Sequence, residues 1–362
     1  MMKYLSEYRD GSVASKMVDR IRATSKKPAR FMEICGTHTV SIFKYGIREV
    51  LPQHIALISG PGCPVCVTAT RDIDKALKLA RISGVIVTTF GDMIRVPGSQ
   101  SSLQNEKSLG ADVRMVYSTM DALEVARQNP EKKVVFLGLG FETTAPTIAA
   151  AVVAAEVEGI NNFSVLSSHK LLPPAMDALL SGGELDVSGF ICPGHVSTVI
   201  GTASYELVAA KYHTPCVVVG FEPLDILQGI YMLVSQMEVG EARVEIQYRR
   251  AVAPEGNSNA LKTMYGVFEP CDAPWRGLGV IPKSGLALRE AYRSFDADAL
   301  FDLEVPDPPE PPGCKCGDIL RGVKTPIECK LFQTVCTPEN PVGPCMVSSE
   351  GTCAAHYKYS QL

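Results

Sequence analysis

Apolar positions in this chain come in short continuous runs, not in strict alternation with polar ones. From residue 30 onward, Arg30–Ile34, Ile55–Ser59, Val85–Thr89 and Val113–Tyr117 each read as a strand. Val134–Leu139, Phe163–Ser167, Gly189–Ile191 and Cys216–Val219 repeat the pattern. Unbroken Val/Ile/Leu runs belong to strands covered on both faces, hence to parallel sheet, and a stretch of helical periodicity follows each one. The second set lies about 103 to 108 residues after the first, strand for strand, which predicts an internal repeat. Four βα units make roughly one small doubly wound domain. The expected fold class is therefore α/β, with two similar doubly wound parallel-sheet domains side by side, over residues 30–130 and 131–245.

Residues 3–27 read as an amphipathic helix with Tyr4, Leu5, Tyr8, Val18 and Ile21 on its apolar side, giving an N-terminal helical segment over residues 1–29. After Tyr248 the alternation of strand and helix breaks, and a helix is expected over Leu286–Phe295. Val305–Gly313, with five prolines, is a stiff extended spacer. It leads into the cysteine-dense end of a C-terminal region over residues 246–362.

In doubly wound folds the functional loops gather at the carboxyl ends of the strands. The unusual motifs fall there: Cys35-Gly-Thr-His38, Gly60-Pro-Gly-Cys63-Pro-Val-Cys66, Phe90-Gly-Asp92 and Gly140-Phe-Glu142-Thr-Thr144. Ser168-His169-Lys170, Cys192-Pro-Gly-His195 and Gly220-Phe-Glu222 complete the set. Cys, His, Glu and Asp from distant sequence are thereby expected to meet in one cleft between the domains. Gly138-Leu-Gly140 lacks the third glycine of a dinucleotide fingerprint, and no phosphate-binding G-x-x-x-x-G-K-[ST] occurs, so nucleotide use is not supported.

A net charge of −4 gives no electrostatic case for nucleic acid or an acidic membrane surface. The first residues have no apolar signal region, and no apolar stretch is long enough to span a bilayer, so the expected location is cytoplasmic. Twelve cysteines then stand out, because a reducing compartment favours metal binding or thiol catalysis over structural disulfides. Cys63 and Cys66, where a strand hands over to a helix, are placed for redox or metal chemistry. Cys35 and His38 can aim a thiolate and an imidazole at one point, and metal holding ranks above acyl transfer because no third orienting residue is visible. Cys314, Cys329, Cys336 and Cys353 are separated by fourteen, six and sixteen residues, with Cys316 and Cys345 beside them. Four such thiolates suit a [4Fe–4S] cluster or structural zinc. The absence of paired C-x-x-C knuckles in the tail favours the cluster, although spacing alone does not pick four ligands from six.

Taken together, Cys35-Gly-Thr-His38, Gly60-Pro-Gly-Cys-Pro-Val-Cys66, Thr89-Phe-Gly-Asp-Met93, Gly140-Phe-Glu-Thr-Thr144, Cys192-Pro-Gly-His195 and the tail spacing resemble the HypD family, maturation factors of [NiFe]-hydrogenases. The resemblance implies a scaffold on which the Fe(CN)2CO unit is assembled, in complex with a HypC-type chaperone and with cyanide from a HypE-type partner. It implies Cys35 as iron ligand with His38 close by, Cys63 and Cys66 as a redox dithiol, and Cys314, Cys329, Cys336 and Cys353 as ligands of a [4Fe–4S] cluster. Glu142 and His195 join the candidate catalytic set through their matched motifs. The competing readings are an iron–sulfur thiol–disulfide oxidoreductase acting on protein disulfides, and a non-catalytic iron–sulfur scaffold.

Overall fold

The computed structural model describes residues 7–184 and 186–360. Eight parallel strands lie close to their expected positions: β1 (Ala29–Glu33), β2 (Ile55–Ser59), β3 (Val85–Thr89), β4 (Asp112–Met115), β5 (Lys133–Gly138), β6 (Phe163–Ser167), β7 (Gly189–Pro193) and β8 (Cys216–Val219). Every residue of β3, β7 and β8 is buried, as unbroken apolar runs require of strands with helices on both faces. A ninth strand, β9 (Val244–Ile246), extends the pattern at a half-buried edge.

The strands do not divide at residue 130. One sheet has the order β2-β1-β7-β8-β9 and the other β4-β3-β5-β6, all pairs parallel. The chain thus crosses from the first sheet to the second after β2 and returns before β7. The two consecutive domains expected over 30–130 and 131–245 are corrected accordingly, while the repeat survives in another form. Moving each of β1–β4 to the strand about 104 residues later turns β2-β1 into β6-β5 and β4-β3 into β8-β7, so each half of the repeat gives one strand pair to each sheet. Periodicity along a chain reports that units recur; it carries no information about which sheet each unit joins.

The N-terminal helix is shorter than expected. It runs Gly11–Thr24, capped by Asp10, whose carboxylate accepts from Ser12 and Val13 N–H, and it buries Val18 and Ile21. Tyr4 and Leu5 lie outside the described residues. The helix expected over Leu286–Phe295 is instead the end of an antiparallel hairpin, β10 (Phe268–Trp275) and β11 (Gly279–Leu288), followed by a 3-10 turn at Glu290–Phe295. Pro270 and Pro274 hide this hairpin in the sequence, since proline is tolerated only where a strand has a free edge. Among the described residues no helix is long and apolar enough to cross a membrane.

Candidate functional site

In a sheet of order β2-β1-β7-β8, the loops leaving β1 and β7 diverge, and ligands of open α/β sheets bind in the crevice this opens. Cys35 ends the loop after β1 and is the N-cap of helix Gly36–Lys44. His195 begins helix Gly194–Ile200 after β7. Their side chains meet there, Cys35 Sγ lying 3.7 Å from His195 Nδ1. Backbone N–H groups of Thr37 and His38 point at the sulfur, but burial dominates and pushes the thiol up to about 12. Burial also lowers His195 to about 4. Thiol and imidazole are both neutral at pH 7, and a bound cation would displace the thiol proton in favour of a thiolate already faced by N–H donors.

His38 is not the partner of Cys35. Its Nε2 donates to the carbonyls of Gly220 (2.9 Å) and Val219 (3.2 Å), leaving Nδ1 buried and unpartnered. Burial holds it neutral, lowered to about 4. The rings of His38 and His195 both pack on Phe221, with centroids 5.0 and 5.3 Å away. Helical spacing placed His38 one turn along from Cys35, but the crossover that brings β7 beside β1 supplies the nearer imidazole.

The Cys63/Cys66 motif abuts this crevice. Gly36 N–H donates to Gly62 O (2.9 Å), and a Cβ on Gly62 would lie 2.0 Å from the Cys35 backbone nitrogen. Only glycine allows the two loops this approach. Gly62→Ala is expected to destabilise the fold by more than about 3 kcal/mol, the upper range for overpacking, because the obstructing atoms are backbone. An unchanged thermal midpoint would contradict this contact. Cys63 and Cys66 form a disulfide with Cα atoms 5.2 Å apart, at the start of the short helix Pro64–Val67.

The tail closes over the carboxyl ends of β1, β2 and β3. Thr37 Oγ1 donates to Glu350 (2.6 Å), Cys66 Sγ lies 3.9 Å from Pro344 O, and Asp92 accepts from Ser348 Oγ (3.3 Å) and Ser349 N–H (3.4 Å). Arg95 donates to Pro338 O. Arg276 fixes the proline spacer, pairing with Glu310 at 2.9 Å while its Nε bonds Thr68 O at 3.1 Å. The tail cysteines join Cys63 and Cys66 in one buried cluster. Cys316 and Cys345, outside the four-cysteine spacing that carries the resemblance, have sulfurs 2.6 Å apart. Glu350 likewise carried no sequence signal, since a lone glutamate in a loop has none.

The remaining tail thiols present a donor set without a converged single-ion site: among the described residues no three His, Cys, Asp or Glu side chains could hold one metal ion. A cube with a thiolate at each of four corners does not require such convergence. The Val342 N–H aims at Cys336 Sγ (3.4 Å), and Cys329 Sγ lies 3.8 Å from Gly313 O. A nest of buried thiols with N–H donors fits an electron-rich thiolate-bound group in its chemistry.

Two expected site residues lie elsewhere. Glu142 follows β5, and no hydrogen bond among the described residues ties it to Cys35, His38 or His195; its Oε1 accepts from Leu172 N–H at 2.9 Å. Glu222 pairs with Arg9 at the surface and caps the helix Pro223–Val239. Lys170 is buried against Asp72 at 3.3 Å, and His169 Nδ1 against Ser167 Oγ at 3.0 Å.

Three buried imidazoles set the acid response. His38 and His195 are lowered to about 4 and His169 to about 3, in each case first by burial. A histidine lowered below its unfolded value near 6.5 contributes stability that is full above that pH and is lost as pH falls through the folded value. Glu142, raised to about 7 by burial, works in the opposite sense. Glu33, also raised by burial, works as Glu142 does, and the net expectation is a loss on the order of 1 kcal/mol per pH unit near pH 5.5. Chemical denaturation at pH 7 and pH 5.5 checks it; equal stabilities would rule it out.

The sequence model of the family described as "HypD: Hydrogenase formation hypA family" matches residues 12–360. The chain is 49% identical to the hydrogenase maturation factor HypD2 of Bradyrhizobium diazoefficiens, over 100% of this chain and 98% of that protein. It is 48% identical to the hydrogenase maturation factor HypD of Cupriavidus necator, with the same coverage. A putative hydrogenase expression/formation protein of Methanocaldococcus jannaschii is 48% identical over 98% of this chain and 99% of its own length.

Proposed function

The chain belongs to the HypD family of hydrogenase formation proteins, and from that membership we propose that its crevice holds iron during assembly of the Fe(CN)2CO unit of [NiFe]-hydrogenase. The observation that carries this reading is the contact of Cys35 with His195 on one side and with the Cys63/Cys66 loop on the other. Iron that will bear cyanide and carbon monoxide needs a soft thiolate in a shielded place, and buried Cys35 supplies one. Iron is the cargo, shared with a HypC-type chaperone that completes its coordination.

Cyanide from a HypE-type partner arrives as a protein thiocyanate. Its transfer breaks the S–C bond: the thiocyanate takes up two electrons and yields the partner's thiolate and a cyanide ion for iron. Cys63 and Cys66, as a dithiol, release two electrons and two protons on closing to a disulfide, so the step balances. Cys314, Cys329, Cys336 and Cys353 would hold a [4Fe–4S] cluster, which would supply electrons one at a time.

Anaerobic purification of the complex with the HypC-type chaperone, with iron and sulfide analysis and infrared spectroscopy, tests the reading. Bands of metal-bound cyanide and carbonyl are expected, with iron in excess of the cluster. Stoichiometric cluster iron without such bands, together with reduction of insulin disulfides, would favour the general oxidoreductase instead.

A further inference from the structure

Glu142 is left over by the iron chemistry, and its surroundings suit a ligand. It sits after β5, at the point where the second sheet, β4-β3-β5-β6, reverses its order, which is where such sheets bind ligands. The residue is 1% exposed, its Oε1 accepts from Leu172 N–H, and its Oε2 has no partner. It lines a cavity of about 520 Å³ bounded by helices Leu172–Ser181, Ala203–Tyr212 and Ser258–Val267. Pro173, Pro174, Val208 and Leu261 give the walls an apolar surface, and Leu207, 75% exposed, stands at the mouth. None of the cysteines lines it.

We infer that this cavity binds a cationic nitrogen group, an ammonium or guanidinium, carried on an apolar body. A buried oxygen without a hydrogen-bond partner is costly, and an N–H cation both fills its lone pair and compensates the ionised carboxylate. The other acid at the cavity, Asp177, is already paired with Lys211 at 2.7 Å and bonded by Tyr212, so Glu142 is the acid left to meet the ligand. The site is independent of the iron reading.

Burial raises Glu142 to about 7, and the titratable groups facing it are Tyr205 and Lys211 of helix Ala203–Tyr212, Tyr265 of helix Ser258–Val267 and Asp177 of helix Leu172–Ser181. A cation binds the ionised form, so affinity should fall about tenfold between pH 8 and pH 6.

Titration calorimetry with benzylamine, with benzyl alcohol as the neutral control and a capped Leu-Arg-Leu tripeptide as a chain-borne source, tests the inference on the full protein. Saturable binding of benzylamine or of the tripeptide, but not of the alcohol, is expected. The free amine binding alone points to a small metabolite, and the peptide binding alone to a partner's basic side chain. Glu142→Gln should weaken binding at least tenfold and abolish its pH dependence. Leu207→Trp, which keeps the carboxylate and fills the mouth, should block binding without altering the far-ultraviolet spectrum. Absence of binding by either cation, equal binding of the alcohol, or binding unchanged in both variants would overturn the inference.

Discussion

Replacing Cys35 with serine should strip the protein of its cargo iron while leaving the tail thiols loaded and the fold intact. Cys35 holds the N-cap position with extended backbone that serine also adopts, and Gly62 and His195 touch its backbone and side chain without needing sulfur. What serine cannot supply is a soft anionic ligand, since an alcohol does not ionise where even the thiol is pushed up to about 12. Iron retention in the partner complex should drop by more than about a hundredfold, beyond the 10–100-fold that losing a mere supporting residue costs a metal site. Iron counted before and after gel filtration, alongside the tail chromophore, checks this. Cys35→Ser complexes that keep their full iron would remove Cys35 from the ligand set. His195→Gln is the milder companion, expected to weaken retention without abolishing it.

The ease of reading this chain differs sharply from one feature to the next. Strand positions were legible because a covered parallel strand is buried at every position, as β3, β7 and β8 are, and so reads as a largely apolar run. The motif loops were legible because glycine, proline and cysteine at strand ends have few other uses. Pairing was not legible. That β7 lies against β1, and so His195 against Cys35, depends on contacts some 160 residues apart that leave no local trace. For the same reason His38, three residues from Cys35, was the natural sequence choice, and yet its ring is committed to the carbonyls of Val219 and Gly220. Glu142 shares its strand-end position with the cysteine motifs, which is why it read as part of one cleft; the fold has two sheets and two reversal points, and it belongs to the other.

The tail shows how these distances are bridged. Its contacts reach the first three strand ends: Glu350 at Thr37, Pro344 at Cys66, Ser348 and Ser349 at Asp92. A segment that only stored thiols would not need to touch three separate motif loops. The arrangement places Cys345 on the short helix Pro344–Val347, packed against the helix that carries Cys66.

From that placement, Cys63→Ser and Cys66→Ser should each reduce hydrogenase maturation in cells to the level of a strain lacking the protein. The bond between them closes only a small loop, so losing it should cost no more than about 2 kcal/mol of stability. On the proposed function, Cys316 and Cys345 would act upstream of this dithiol. A Cys345 thiolate attacking Cys66 would form a mixed disulfide, and Cys316, 2.6 Å from Cys345, would resolve it, leaving Cys63 and Cys66 as a dithiol and Cys316–Cys345 oxidised. Two electrons move from the Cys316/Cys345 pair, with Cys63 leaving as thiolate in the first exchange and Cys66 in the second. Cys345→Ser should therefore keep its tail chromophore yet leave Cys63–Cys66 oxidised when a one-electron donor is added anaerobically. Alkylation followed by mass spectrometry reads the state of each cysteine. Reduction of Cys63 and Cys66 as fast in Cys345→Ser as in the unaltered protein would take the second thiol pair out of the path and require electrons to reach the crevice from solvent.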